Sequence, residues 1–293
     1  MSKQFLLTGA TGFLGSYLLK ALLENNYELI ILKRSSSDTS KIKDCLNYVK
    51  SYDIDLEDLD TIFRSNKINT IIHTATNYGR SDNNILEILR SNLVYPFELL
   101  CKGQENQLEC FINIDTALPK TISNYALSKR QFYDWLVVFS DKISCVNVAI
   151  EHFYGFQDSD SKFVTKIIRD LLAKIDKIDL TLGKQKRDFI YIDDVISALM
   201  TIIKNVPTFD NNLTEFQIGS GNNISIREIV ELIKRLCDNH NTQLNFGALP
   251  YRSNEIMESK ADISNILKLG WQQKTSLEQG LKKTIDLEKG LLI

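Results

Sequence analysis

The sequence predicts an α/β fold: a doubly wound parallel sheet with a second, smaller α/β domain interleaved with it. Three observations lead there. Apolar runs of strand length alternate with segments of helical period through the first half of the 293 residues, the pattern of parallel strands joined by crossover helices. The alternation breaks near residue 155, and short strands and helices then follow in mixed order. Three glycines, Gly9, Gly12 and Gly15, separate the first strand from the first helix in the spacing G-x-x-G-x-x-G.

The first strand is Phe5-Leu6-Leu7, and a helix opens near Phe13 with Leu14, Leu18, Leu19 and Leu22 at helical spacing. Between them Thr8 to Gly15 reads TGATGFLG. Gly9 permits a turn tighter than a Cβ allows. Gly12 lets the backbone approach a pyrophosphate, and Gly15 lets the helix pack close to the strand. The unpaired N–H groups of the first helical turn then face the anion. Glu28 to Leu32 is a second strand, Cys45 to Tyr52 a weaker one, and Leu56 to Arg64 a short helix. Thr70 to Thr76 is a buried strand rich in β-branched residues. It is followed by a helix over Ile85 to Gly103, a strand over Cys110 to Ile114, a helix over Asn124 to Phe139 and a strand over Ile143 to Ile150. Ligands collect at the carboxyl ends of such strands, so sites are expected after Leu7, Leu32, Tyr52, Ile72, Ile114 and Ile150.

Beyond the break, Phe163 to Lys174 reads as an amphipathic helix, Leu180-Thr181-Leu182 as a short strand and Phe189 to Ile192 as another. Asp194 to Lys204 is helical, Glu215 to Ile218 extended, Ile226 to Cys237 helical with Ser225 as N-cap, and Ser259 to Leu269 a further short helix. There is no internal repeat and no low-complexity linker. The division expected is therefore a dinucleotide-binding domain over 1–159 and 188–220, and a substrate domain over 160–187 and 221–293.

Composition narrows the function classes. Basic and acidic residues number 35 and 37, a net charge of −2, so nothing argues for nucleic acid. No apolar run approaches transmembrane length and no leader pattern precedes the first strand, so no membrane partner is expected. The five cysteines are scattered without metal spacing, as reduced thiols of a cytoplasmic protein would be. His73, His152 and His240 are too far apart to suggest a metal site.

The second strand ends Leu32-Lys33-Arg34-Ser35. An acid there would hold a ribose 2′-hydroxyl, whereas a basic residue accommodates a 2′-phosphate. Lys33 and Arg34 therefore point to NADP, with NADPH preferred over NADH, although both side chains could simply be solvated. Tyr125 and Lys129 stand four apart on a predicted helix, which puts them on one face. A phenol ordinarily ionises near pH ~10, and a neighbouring ammonium favours the phenolate. The preceding strand runs into Thr116, whose hydroxyl could hydrogen-bond a substrate carbonyl or merely cap the strand.

These residues together resemble the extended short-chain dehydrogenases/reductases, the superfamily of sugar-nucleotide epimerases, dehydratases and reductases, over nearly the whole chain. TGATGFLG is similar to the family's glycine motif, which assigns Gly9, Thr11, Gly12, Phe13, Leu14 and Gly15 to a Rossmann-type cofactor site. Asp53-Ile54 resembles its adenine-contacting pair, and Thr74, Ala75 and Thr76 its strand end beside the pyrophosphate. Asn92 matches an Asn of the following helix and is grouped with the cofactor residues. Thr116, Tyr125 and Lys129 match the catalytic Ser/Thr, Tyr and Lys, the last two also facing the cofactor. Arg187 in RDFIYIDDV resembles the Arg that contacts a substrate diphosphate. Arg252 resembles a second such Arg, and Glu255 a ribose-binding acid. Tyr78, in HTATNYG, falls with the substrate residues.

The resemblance implies reduction of the C4 ketone of a nucleotide-linked deoxy sugar, with CDP the expected nucleotide, feeding O-antigen or another surface polysaccharide. It also implies a homodimer through the Tyr125 helix, where Phe132, Trp135 and Leu136 are candidate contacts or simply core. Departures narrow the reading. Only eight residues separate Thr116 from Tyr125, a shorter loop than most relatives carry. Ala149 replaces a usual Arg, Phe156 a usual Pro, and His152, preceded by Glu151, a usual Asn. Glu151 and His152 form either a substrate clamp or a locally satisfied pair. Three other activities stay open: a 4-epimerase with tightly bound NAD, a 4,6-dehydratase, for which the usual Asp-Glu pair is replaced by Ala117-Leu118, and a non-catalytic dinucleotide sensor.

Overall fold

The structure, a computed structural model, describes residues 3–79, 84–206 and 212–290. In chain order its elements begin β1 (Gln4–Thr8), α1 (Phe13–Glu24), β2 (Glu28–Lys33), β3 (Lys50–Asp53), α2 (Leu59–Arg64), β4 (Ile68–His73), α3 (Ile85–Leu89) and α4 (Tyr95–Glu105). Then come β5 (Cys110–Thr116), α5 (Asn124–Phe139), β6 (Ser144–Ile150), β7 (His152–Tyr154), α6 (Phe163–Leu172), β8 (Lys177–Leu180), β9 (Lys186–Arg187) and β10 (Phe189–Tyr191). The chain ends with α7 (Ile192–Asn205), β11 (Leu213–Ile218), β12 (Ile224–Ser225), α8 (Ile226–Leu236), β13 (Gln243–Phe246), α9 (Ser264–Lys268) and α10 (Leu277–Lys289). Two compact units result: residues 1–149 with 199–216, and residues 150–198 with 217–293. Among the described residues no helix is long and apolar enough to cross a membrane.

The first unit is the doubly wound sheet that the alternation predicts. Its seven strands run in the order β11-β6-β5-β4-β1-β2-β3. β1 pairs in parallel with both β2 and β4, β2 with β3, and β4 with β5. Strand order reverses between β1 and β4, so the carboxyl ends of these two, Thr8 and His73 in register, mark the point where such sheets bind ligand. The central strands are largely apolar because both faces are covered: Leu6, Ile30, Ile71, Phe111 and Cys145 lie in one buried cluster with Phe132 and Leu136 of α5. Phe132 and Leu136 are thus core and not surface, while Trp135 between them stays 42% exposed.

Four segments differ from expectation, each for a local reason. Cys45 to Tyr52 is not one strand: Ser40–Tyr48 winds as 3₁₀ turns burying Ile42 and Cys45, a three-residue spacing that suits the tighter helix, and only Lys50–Asp53 extends. The helix expected from Ile85 passes through a π-helical turn, Arg90–Val94, that buries Asn92. Of Ser259 to Leu269 only Ser264–Lys268 is helical, because the amides of Ser259 and Ala261 are taken by the Lys186 carbonyl and the Asp188 carboxylate. The strand expected at Leu180 to Leu182 stops at Leu180, and Gly183 turns the chain with φ +72°.

The second unit is built on short pairings, β10 with β7, β12 with β9 and β13 with β8, against which α6, α8 and α10 pack together. Two buried carboxylates staple it. Asp188 accepts from the amides of Ser220, Gly221 and Ala261 and from the Ser220 hydroxyl. Asp194 accepts from the amides of Lys274 and Thr275. A buried carboxylate needs such donors to be tolerated at all.

Candidate functional site

The glycine turn is shaped as its spacing requires. Gly9 has φ +70°, and a Cβ there would lie 2.6 Å from the Ala75 amide nitrogen. A Cβ on Gly15 would overlap the Gly9 carbonyl. Gly12 is different: it is exposed, and a Cβ would meet nothing closer than the Gly9 oxygen at 3.3 Å. Gly12 is also the N-cap of α1, with no side chain to cap the helix and no acid in the first turn. The first intrahelical bond runs from the Ser16 amide to the Gly12 carbonyl, so the amides of Phe13, Leu14 and Gly15 point out of the helix end. Leu14 is buried in the core and offers only that amide. This is a cradle for a diphosphate, made wholly of backbone.

The end of β4 is stapled to it. The Thr74 hydroxyl donates to the Thr8 carbonyl at 2.7 Å, and the Ala75 amide to the Thr8 hydroxyl at 3.3 Å. The Thr8 hydroxyl also hydrogen-bonds His73 Nδ1, 2.9 Å away. Burial, and then the Lys129 charge, hold the His73 pKa well below its ordinary value, so the imidazole stays neutral. Thr76 is half-buried beside them. Asn92 is wholly buried; its amide donates to the Asn77 carbonyl and the Ser128 hydroxyl, and its oxygen accepts from the Asn77 amide. It ties the loop after β4 to α5, so its part here is to hold those segments in place.

At the end of β2, Lys33 is half-buried with Nζ 3.5 Å from the Asp53 carboxylate. Asp53 also accepts from the Ser35 hydroxyl and the Asp55 amide. Ile54 packs against the core cluster. Arg34 is exposed and makes no ion pair among the described residues.

Thr116, Tyr125 and Lys129 all lie in the first unit, on β5 and α5. Ser123 caps α5 through the Ala126 amide. Lys129 is 1% exposed and its Nζ donates to the Ile114 carbonyl at 2.6 Å. Burial lowers its pKa to about 8, opposed by the Asp115 carboxylate. The Thr116 hydroxyl oxygen accepts from the Leu118 amide at 3.2 Å, which leaves its proton free to donate. Tyr125 is partly exposed, its ring 5.0 Å from that of Tyr78. Beside Thr116 the short loop leaves a cleft lined by Asp115, Thr116, Leu118, Lys120, Ala126 and Arg130.

The second unit gathers a cluster of charge. Arg187 is 8% exposed; it donates to the Lys186 carbonyl and, at 2.5 Å, to Glu255. Glu151, also buried, accepts from the Ser259 hydroxyl at 2.5 Å and lies 3.1 Å from His152 Nδ1. The His152 side chain is partly exposed. Arg252 is exposed, and its carbonyl accepts from the Glu255 amide, closing a turn. Sequence reasoning missed Asp188, Ser259 and the Asn113–Asn147 pair, in which Asn113 donates to Asn147 at 2.7 Å. Only Asp188 carried a signal, its place inside RDFIYIDDV.

The sequence profile of the NAD dependent epimerase/dehydratase family matches residues 5–219. A relative from Salmonella muenchen, a CDP-abequose synthase, is 33% identical over 99% of this chain and 99% of its own. Among solved structures, the UDP-glucuronic acid 4-epimerase of Bacillus cereus, in complex with UDP-glucuronic acid and NAD, is 25% identical and superposes with a TM-score of 0.86 over 98% of this chain and 99% of its own. The UDP-glucose 4-epimerase of Thermotoga maritima, 23% identical, shares the fold with a TM-score of 0.86 over 99% of this chain and 100% of its own.

Proposed function

The chain belongs to the NAD dependent epimerase/dehydratase family, and on that footing we propose that it is a nucleotide-sugar 4-ketoreductase. Its substrate would be a CDP-linked 4-keto-3,6-dideoxy sugar, and its cofactor NADPH. The product would enter O-antigen or another surface polysaccharide, and the enzyme would work in the cytoplasm as a homodimer. The observation that carries this reading is the trio on β5 and α5: Thr116 with a hydroxyl proton to give, Tyr125 partly open, and Lys129 sealed with its ammonium near the point of ionisation. The name of the Salmonella relative supports the substrate.

The dinucleotide fits the residues present: the Gly9–Gly15 turn and the amides of α1 for its diphosphate, Asp53 and Ile54 for its adenine end, and Lys33 and Arg34 for a 2′-phosphate. When bound it supplies a hydride. The chain does the rest. Thr116 donates a hydrogen bond to the ketone oxygen as negative charge develops there. Tyr125 gives that oxygen its proton. The ammonium of Lys129 lowers the cost of the phenolate that remains. Arg187 and Arg252 suit a diphosphate through their planar donor forks, and Glu255 a ribose. Binding of the nucleotide then orients the ketone.

The test offers NADPH with CDP-, dTDP- and GDP-linked 4-keto-deoxy sugars, follows its oxidation, and determines the product's C4 configuration by NMR. Turnover is expected with the CDP sugar, and Tyr125→Phe should cut kcat by about 100-fold or more. NADPH left untouched by all three sugars sinks the proposal. The second reading, a 4-epimerase with tightly held NAD, is favoured by the Lys33–Asp53 approach, which partly neutralises the basic strand end. NAD retained through purification, with activity needing no added cofactor, would establish it.

A further inference from the structure

Among the described residues the buried amine of Lys129 has as its hydrogen-bond partner only a neutral carbonyl, that of Ile114 at 2.6 Å. An ammonium at 1% exposure is costly without a counter-charge. The carboxylate that follows Ile114 in the chain is Asp115, and its position is built rather than incidental. One oxygen accepts from the Thr116 amide at 2.7 Å. The other accepts from the Asn147 side chain on β6 at 3.0 Å. Asn147 is fixed in turn because its own oxygen accepts from Asn113, at 2.7 Å, on β5. Asn113 and Asn147 are 0% and 4% exposed. Every donor in this relay points towards Asp115, as suits a group that in its charged form can only accept. Both bonds to Asp115 also hold it against rotation away from the Ile114–Thr116 backbone, the strand that Lys129 touches.

From this geometry we infer that Asp115 is a positioning residue of the reaction centre: its carboxylate, locked by the Asn113–Asn147 relay, is the counter-charge that keeps Lys129 protonated and at the same time fixes the amide of Thr116. Among the described residues no other acid is felt by Lys129. His73 faces it from β4 as a neutral imidazole, Asn92 and Tyr95 lie on the helical segment beyond, and Tyr125 is on its own helix. Burial alone pulls the amine's pKa down, and Asp115 is the group that opposes it. The relay therefore sets the pH above which Lys129 ceases to assist Tyr125. A threonine preceded by a neutral residue would lack this setting.

The inference rests on the proposed reduction only for its kinetic arm, and the decisive readout needs neither substrate nor cofactor. The Nζ of Lys129 is titrated by NMR in the protein labelled with ¹⁵N-lysine, the resonance assigned by its loss in Lys129→Met. Wild type should titrate near pH 8. Asp115→Asn should lower the midpoint by about one pH unit or more, the usual effect of losing one nearby opposite charge. Asp115→Ser, which keeps an acceptor for the Thr116 amide in less volume, should do the same and stands in if the Asn variant does not fold. The double variant D115N/N147D returns a carboxylate to the relay, flanked by two amide donors, Asn113 and the side chain introduced at position 115. It should restore most of the shift. A midpoint unmoved in the folded single variants overturns the inference, as does a double variant no better than Asp115→Asn. With substrate, the basic limb of the kcat profile should move with the NMR midpoint while KM stays unchanged. A limb that stays put while the midpoint moves would count against the proposed reduction and leave the influence of Asp115 on Lys129 standing.

Discussion

The glycine turn of the first unit and the Arg187 cluster of the second are built from opposite materials. The turn contains no charged side chain. Its potential comes from amides at the end of α1, and its shape from backbone held against backbone, Gly15 on the Gly9 carbonyl and Gly9 on the Ala75 amide. The cluster is all side chain. Arg187 is buried and already engaged by Glu255, and Glu151 beside it is buried on Ser259. A backbone site is sensitive to volume and indifferent to charge balance. A side-chain cluster tolerates changes of shape at its rim, but loses heavily when one charge goes and its partner stays.

That contrast can be broken first at Gly15. Gly15→Ala should destabilise the fold by about 3 kcal/mol, the upper range for overpacking where nothing flexible can yield, read as a shift in urea midpoint. Gly12→Ala should move that midpoint far less and weaken dinucleotide binding instead, since its Cβ meets only the Gly9 oxygen, at 3.3 Å. Equal unfolding by both would mean the turn is structural throughout.

Lys129 gives the next largest effect and carries its sign in the titration. Its folded pKa is lowered from the ordinary 10.5 to about 8, so between those values the unfolded chain binds more protons than the folded one. Stability from this group is therefore least below pH 8 and rises with pH through that window, by as much as about 3 kcal/mol. Lys129→Met removes this contribution. The difference in unfolding free energy between wild type and variant, measured from pH 7 to 10, should narrow as pH rises. A constant difference would show the amine to be solvated.

In the second unit, Glu255→Gln leaves the Arg187 guanidinium short of its counter-charge. The loss expected is about 2 kcal/mol, below the value for a fully buried pair because both side chains keep some exposure, 10% and 16%. The same variant takes the acid proposed for the ribose out of the site, so CDP should bind more weakly by calorimetry as the urea midpoint falls. A tighter CDP isotherm, from Arg187 donors set free, would put Glu255 on the arginine rather than on the ligand.

The same division decides what could be read from sequence. TGATGFLG is eight contiguous residues whose spacing encodes a turn, and α5 runs from Asn124 to Phe139 as its periodicity says. The seven-stranded sheet follows from apolar runs that each report their own burial. Asp188 is otherwise: its donors come from residues 220, 221 and 261, so RDFIYIDDV marks the residue but not the staple it makes. The Asp115–Asn147–Asn113 relay crosses two strands and looks, in sequence, like polar interruptions of apolar runs. α10 was legible in principle, since Ser276 and Gln279 form a capping box, but its helical face is weak. Local chemistry is visible in sequence where backbone makes it, and hidden where distant side chains do.

The end of β2 lies between the two kinds of site, and the smallest effect should arise there. Lys33 is drawn to Asp53 at 3.5 Å, while Arg34 is exposed and unengaged among the described residues. If the 2′-phosphate is read at this strand end, Arg34 carries most of the reading. Arg34→Ala should raise the KM for NADPH by about tenfold, the low end for a charged hydrogen bond at an exposed position, and leave NADH unchanged. Lys33→Ala should do less, because its charge is shared with an acid. Being exposed charge, the preference must also weaken with salt. The NADPH-to-NADH ratio should therefore fall between low and high ionic strength, whereas the contribution of the glycine turn, common to both cofactors, cancels in that ratio. A ratio that ignores both salt and Arg34→Ala would remove the basic strand end from cofactor choice and favour the NAD-bound epimerase.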